Sequence, residues 1–196
     1  AAREETRHEH LSELRALYGF RTFSGRGARE LKEWVFQEAE MAVSNEDVAR
    51  RFVAECRRTR TVLPATSTIE RLCATALVDA ERQIEKRIAS RLSIPIRKQL
   101  LVLLEETIDD RVTRFVWLRQ FELGSNSSSA NRLLDRLEYL QRIDLPDALL
   151  ANVPAHRVAR LRRQGERYYA DGMRDLPEHR RLAILAVCAS EWQAML

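Results

Sequence analysis

Lysine is nearly missing from this chain. Only Lys32, Lys86 and Lys98 occur among 33 basic residues, so 30 are arginine. Glycine (6) and proline (5) are scarce, and they fall between segments of helical periodicity, where they act as punctuation. Cysteine is limited to Cys56, Cys73 and Cys188. Three widely spaced thiols with no C-x-x-C pair exclude a disulfide framework and a zinc site, and each fits a small apolar place in a helix–helix contact. No apolar run approaches the roughly 20 residues that span a bilayer; Leu100–Leu104 is among the longest. The first residues, Ala1-Ala2-Arg3-Glu4-Glu5, lack a signal peptide's apolar centre. The chain is read as intracellular, with no membrane partner.

Enzyme constellations are missing as well. His8 and His10 stand two apart on a helix and point about 200° apart, while His156 and His179 are isolated. Glu105-Glu106 and Asp109-Asp110 read as a helix end and a turn. There is no glycine-rich phosphate loop and no G-x-S-x-G. No strand framework could hold the rigid acids of a two-metal nuclease.

What remains is helix. The fold class is all-α, a bundle of about eight helices. Leu11, Leu14 and Leu17 line one side of the first helix, which Gly19 ends as a C′ residue. A second helix covers about 28–43. Ser44 or Asn45 caps a third that reaches about Arg60. A long fourth helix begins at Ser67, whose S-x-x-E spacing to Glu70 suits a capping box. It runs through Cys73, Ala76, Ala80, Ile84 and Ile88 to Leu92, long enough to bridge two lobes. A short fifth helix covers 96–106, and residues 113–121 form a short aromatic segment. The serine-rich stretch 124–129 is a loop, followed by a sixth helix to Ile143. Pro154 opens a seventh that reaches Leu176, and Pro177 opens the last. The run Leu182–Ala189 in that last helix is apolar on most sides, so it belongs inside the bundle. Two lobes are expected, 1–108 and 109–196. The chain ends in mid-pattern on Trp192–Leu196 and begins without methionine, so it reads as part of a longer polypeptide.

The net charge is +4, and residues 1–98 carry the whole surplus. Arginine suits phosphate and guanine because its planar fork meets two acceptors at once; a GC-rich genome is the plain alternative source. The leading candidate for chemistry is a helix–turn–helix-like unit at about 45–80. Ser67, Thr68 and Arg71 at the start of the fourth helix would reach base edges, with Arg57, Arg58 and Arg60 near phosphates. Its connection is longer than a standard turn, and an ordinary helical hairpin explains the same pattern. A second candidate joins Arg114 and Arg119 to Ser128, Arg132 and Arg136. A third is the face carrying Arg160, Arg163 and Arg167, spaced by three and four, with Arg157 and Arg162 nearby. The second also reads as a surface loop followed by a bundle helix, and the third as a solvated face.

The segment His10-Leu11-Ser12-Glu13-Leu14-Arg15-Ala16-Leu17-Tyr18-Gly19-Phe20-Arg21-Thr22-Phe23 resembles the N-terminal region of Tn3-family transposases. The resemblance continues in order through Arg29-Glu30-Leu31 with Trp34, Val62-Leu63-Pro64-Ala65 with Ser67-Thr68-Ile69-Glu70-Arg71-Leu72, Trp117-Leu118-Arg119-Gln120, Leu137-Glu138 and His179-Arg180-Arg181-Leu182-Ala183. It implies a helical fragment that binds the terminal inverted repeats of a transposon as double-stranded DNA, in a bacterial cytoplasm at the nucleoid. It also implies a separate RNase H-like catalytic part, whose three acids hold divalent metal. This fragment would then need no cofactor and carry no catalytic residue. Its partners would be the duplex, the remainder of the transposase and, in the full-length protein, a second protomer. The alternative reading is a protein–protein interaction or dimerisation module without base readout.

Overall fold

A computed structural model describes the backbone of residues 2–109, 112–120 and 127–195, and the side chains of 9–108, 112–120 and 129–195. The all-α reading holds: ten helices are present among the described residues, with one small strand pair. The chain divides into two compact units, Ala1–Glu81 and Arg82–Leu196.

The first unit holds α1 (Ala2–Tyr18), α2 (Gly25–Glu38), α3 (Asn45–Arg58) and the start of α4 (Thr66–Ser90). Gly19 ends α1 in the left-handed region at φ 65°, as its sequence position foretells. Phe20 N–H donates to Arg15 C=O at 2.9 Å and Gly19 N–H to Ala16 C=O at 3.3 Å, the paired closure of a Schellman end. Ser44 is the N-cap of α3, its hydroxyl accepting from Asp47 N–H at 3.2 Å. The core joins Leu31 and Val35 of α2, Val48, Phe52 and Cys56 of α3, and Cys73, Ala76 and Ala80 of α4. Helix α2 ends earlier than 43, yet Ala39 and Ala42 in the following turn remain buried.

The second unit contains the rest of α4, α5 (Ile94–Glu105), α6 (Arg114–Arg119), α7 (Ser127–Gln141), α8 (Ala155–Arg167), α9 (Ala170–Arg174) and α10 (Glu178–Met195). Strands β1 (Thr107–Asp109) and β2 (Val112–Thr113) pair antiparallel; they are too short to show alternation in the sequence. All eight residues of Leu182–Ala189 are buried, so α10 is the central helix. The three thiols are buried and unpaired. Burial pushes Cys56 up to about 11 and Cys188 up to about 12.

Two sequence expectations differ from the structure. The compact units divide at 81/82, whereas the lobes expected from the sequence divide at 108/109. Ile84, Ile88 and Leu92 of α4 pack into the second core together with Leu100, Leu103 and Leu104 of α5, so α5 belongs wholly to the second unit. Redrawn there, residues 1–81 hold 13 basic and 14 acidic groups, and 82–196 hold 20 and 15. The charge surplus therefore sits in the second unit. The expected seventh helix is also two helices, broken at Tyr168-Tyr169, where Tyr168 is extended at φ −75°, ψ 137°.

Candidate nucleic-acid interface

The link between α3 and α4, residues 59–65, is anchored at several points. Thr59 caps α3, its hydroxyl donating to Glu55 C=O at 2.8 Å. Arg60 N–H donates to Arg57 C=O at 3.1 Å and Thr61 N–H to Cys56 C=O at 2.7 Å. This is a second Schellman closure, but its left-handed residue is Arg60, at φ 49°. The segment after α1 holds the link from the other side: Arg21 N–H donates to Arg60 C=O and Val62 N–H to Arg21 C=O, both at 2.8 Å. An arginine where glycine fits without strain is a local cost that a functional side chain would explain. Arg60→Gly is expected to raise the stability of the first unit by roughly 0.5–1 kcal/mol. If Arg60 serves a ligand, the same variant should weaken binding to it. Urea midpoints and duplex titrations of the same variant check both halves.

Arg57, Arg58, Arg60, Ser67 and Arg71 are exposed, and Thr68 is half-buried. The side chains of Arg57, Arg60 and Arg71 have no hydrogen-bond or ion-pair partner among the described residues. Arg58 differs: its Nε and Nη2 donate to the Glu55 carboxylate at 2.8 and 2.7 Å. That pairing holds Glu55 below the usual carboxylate range. The arginines at the end of α3 do not converge on one point. Arg57 continues the outer stripe of Glu46, Ala49, Arg50 and Val53. Arg58 borders a cleft with Arg21, Thr22, Gly27 and Trp34. Arg60 lies beside Leu17–Phe20.

Helix α4 starts at Thr66, so Ser67 is a helical residue of the first turn and not the expected cap. Ser67, Glu70, Arg71, Ala74, Thr75 and Val78 are all exposed. Their spacing by three and four puts them on one face, opposite the buried Cys73, Ala76 and Ala80. Ala74, Thr75 and Val78 share this exposed face and were not among the candidates drawn from the sequence. The available signal was negative: they are out of phase with the apolar stripe.

The second candidate set is placed differently. Arg114 pairs with Glu106 at 2.6 Å and lies over the Trp117 and Tyr139 rings, at 5.3 and 4.7 Å from their centroids. Arg119 Nη1 is shared among the carbonyls of Gly165, Glu166 and Tyr168, at 3.3, 3.0 and 2.8 Å. Arg136 is buried and sits 5.3 Å from the Trp117 ring centroid. These three guanidinium groups serve the interior of the second unit. Arg132 is exposed, and the side chain of Ser128 lies outside the described residues. On the third candidate face, Arg157 is buried, Arg162 pairs with Glu191 at 2.5 Å, and Arg163 Nε donates to Ala159 C=O at 3.3 Å.

Residues 1–76, which include the α3–α4 link and the head of α4, match the family described as Domain of unknown function (DUF4158). Nearly the whole chain aligns with curated transposases. It is 31% identical over 192 residues to the transposase for transposon Tn21 of Escherichia coli, covering 98% of this chain and 19% of that protein. It is 29% identical to the transposase for Tn501 of Pseudomonas aeruginosa over 96% of the chain, again 19% of the relative. It is 27% identical to the transposase for Tn1546 of Enterococcus faecium over 94% of the chain and 19% of the relative.

The chain is a relative of the Tn3-family transposases.

It spans about a fifth of the length of the transposases it matches. Among the described residues, no group of three or more His, Cys, Asp or Glu could hold a metal ion. No helix among them is long and apolar enough to cross a membrane. A different feature of this transposase relative lies on α1 and the turn that ends it: Leu11, Leu14, Leu17, Tyr18 and Phe20 are 41–75% exposed, an uncovered apolar edge.

Proposed function

We propose that this chain binds double-stranded DNA through the α3–α4 region of residues 1–81, as the repeat-recognising part of a Tn3-family transposase. The observation that carries the reading is the exposed face of α4, headed by unpaired Arg71, with unpaired Arg57 and Arg60 at the end of the preceding helix. Residues 1–81 have no net basic surplus. Affinity there would come from local guanidinium groups near phosphates, not from a broad field. Arg71 is the side chain to form a bidentate contact with a guanine edge in the major groove. Arg58, already neutralised by Glu55, would contribute less to phosphate binding than Arg57. Strand cutting and joining, with the metal they need, belong to the remainder of the transposase.

The test is a salt titration on a duplex carrying the element's own terminal repeats. Log affinity should fall with log salt by about 0.9 per phosphate contacted. Arg71→Ala should cost about 1–3 kcal/mol and narrow the gap between repeat and random duplex. Unchanged discrimination would remove Arg71 from the base-reading role. The exposed apolar edge of α1 favours the second reading, a self-association module. Sedimentation with and without the duplex separates the two, because a chain that self-associates and ignores DNA supports that second reading.

A further inference from the structure

The exposed face of α4 changes character after its first turns, and that change points to the kind of base step it meets. The inference rests on the DNA-binding reading above. Ser67, Glu70 and Arg71 are polar, whereas Ala74, Thr75 and Val78 follow on the same face. Thr75 is left polar as an acceptor only. Its hydroxyl donates its single proton to Arg71 C=O at 2.8 Å. It therefore cannot donate to guanine O6 or N7, adenine N7 or thymine O4, which are all acceptors. What Thr75 has left to offer is its methyl group and the lone pairs of its oxygen, which accept only from adenine N6–H or cytosine N4–H. Ala74 and Val78 offer methyl groups alone, and Val78 is 55% exposed with its apolar surface uncovered. From Arg71 to Val78 the helix advances about 10 Å, or roughly three base-pair steps at 3.4 Å each.

We infer that Ala74, Thr75 and Val78 read thymine C5-methyl groups in the major groove, on the one to three base pairs next to the base met by Arg71. The thymine methyl is the only apolar group that a base pair displays in that groove. On this face only the short side chains of Ala74 and Thr75 stand between Arg71 and Val78, which lets the helix come close enough to touch it. Guanidinium groups without acceptors inside the protein, and not net charge, favour DNA over a protein partner. The methyl patch is headed by unpaired Arg71, and Arg57 and Arg60 supply unpaired cations at the end of α3. Sequence preference in this part of the site is then for thymine over cytosine, set by methyl contact and not by hydrogen bonding.

The experiment changes the DNA first. Duplexes are enriched from a random pool by the 196-residue chain, then resynthesised with deoxyuridine replacing thymine at one position at a time. Deoxyuridine keeps every hydrogen-bonding group and lacks only the methyl. The expected result is a loss of about three- to fivefold in affinity at one to three adjacent positions, and no loss elsewhere. Thr75→Val, which keeps the methyl and discards the hydroxyl, should preserve that pattern. Val78→Ala should abolish the deoxyuridine effect at one position. Tight, selective binding that is indifferent to deoxyuridine everywhere overturns the methyl inference and leaves the DNA reading intact. Failure to enrich any duplex overturns both.

Discussion

Gly165→Ala is expected to destabilise the second unit by about 1–2 kcal/mol, although alanine is the better helix former. Gly165 is buried within α8. A Cβ there would run into Cys188 Sγ and lie 3.2 Å from Ile184 Cγ2 on the central helix α10. Ile184 and Cys188 are themselves buried in the second core, so neither has space to retreat. The helix-propensity gain from glycine to alanine is about 1 kcal/mol. Overpacking a tight core costs about 1–3 kcal/mol for a modest insertion, and here the clash meets a sulfur atom directly. The net sign is destabilising, with a fall in melting temperature of about 5–8 °C for a unit of this size. Thermal melts of the chain check it. The double variant Gly165→Ala with Cys188→Ala should recover much of the loss, because the added methyl then occupies the volume the sulfur vacates. Equal losses in the single and double variants would mean that the close approach of α8 and α10 is not what requires glycine.

The parts of this architecture that were legible in the sequence are those set by local rules. Gly19 marks the end of α1 because a left-handed C′ residue needs no side chain. Ser44 marks the start of α3 because its hydroxyl satisfies an orphan amide. Leu182–Ala189 reads as interior because an apolar run with no polar side has no face to give to water. The parts that were not legible depend on partners far along the chain. The periodicity of α4 continues from Cys73 to Ile88 without interruption, so nothing local reveals that Ala80 joins one core and Ile84 another. The break between α8 and α9 has no proline or glycine to announce it. The candidate site divides in the same way. Exposure of Arg57, Arg60 and Arg71 followed from helix ends and phase. The pairing of Arg58 with Glu55 and the hydroxyl bond of Thr75 are particular rotamer outcomes that spacing leaves open.

Long-range capping also accounts for several arginines of the second unit. Carbonyl groups in the last turn of a helix lack intrahelical donors and carry partial negative charge. Arg97 donates to Ala89 and Leu92 C=O near the end of α4, both at 3.0 Å. Arg174 donates to Leu104 C=O near the end of α5, and Arg181 to Arg174 C=O at 2.8 Å at the end of α9. A guanidinium fork suits this work for the same reason it suits phosphate: it brings several donors to neighbouring acceptors. Arginine abundance alone therefore separates poorly between a DNA surface and a helical scaffold. The useful distinction is which forks already have acceptors inside the protein.

Arg119→Ala puts that distinction to an experimental test. Arg119 satisfies the carbonyls of Gly165, Glu166 and Tyr168 where α8 ends. Its guanidinium also lies 5.7 Å from the Phe115 ring centroid and 5.8 Å from that of Tyr169. Hydrogen bonds to a charged group contribute about 1.5–3 kcal/mol, and a cation–π contact adds about 0.5–1 kcal/mol. Removing the side chain should thus cost about 3 kcal/mol in urea unfolding of the second unit. Arg119→Lys should recover only part, since an ammonium cannot reproduce the planar contact with the rings. Below the unfolding transition, the salt dependence of duplex binding should keep its wild-type slope, because this guanidinium is turned to the end of α8 and not to a phosphate. Arg57→Ala should behave in the opposite way, leaving stability within about 0.5 kcal/mol and lowering the slope by about 0.9. If Arg119→Ala instead lowers the slope while the urea midpoint stays fixed, the DNA face must extend into the second unit, and the assignment of binding to residues 1–81 would have to be withdrawn.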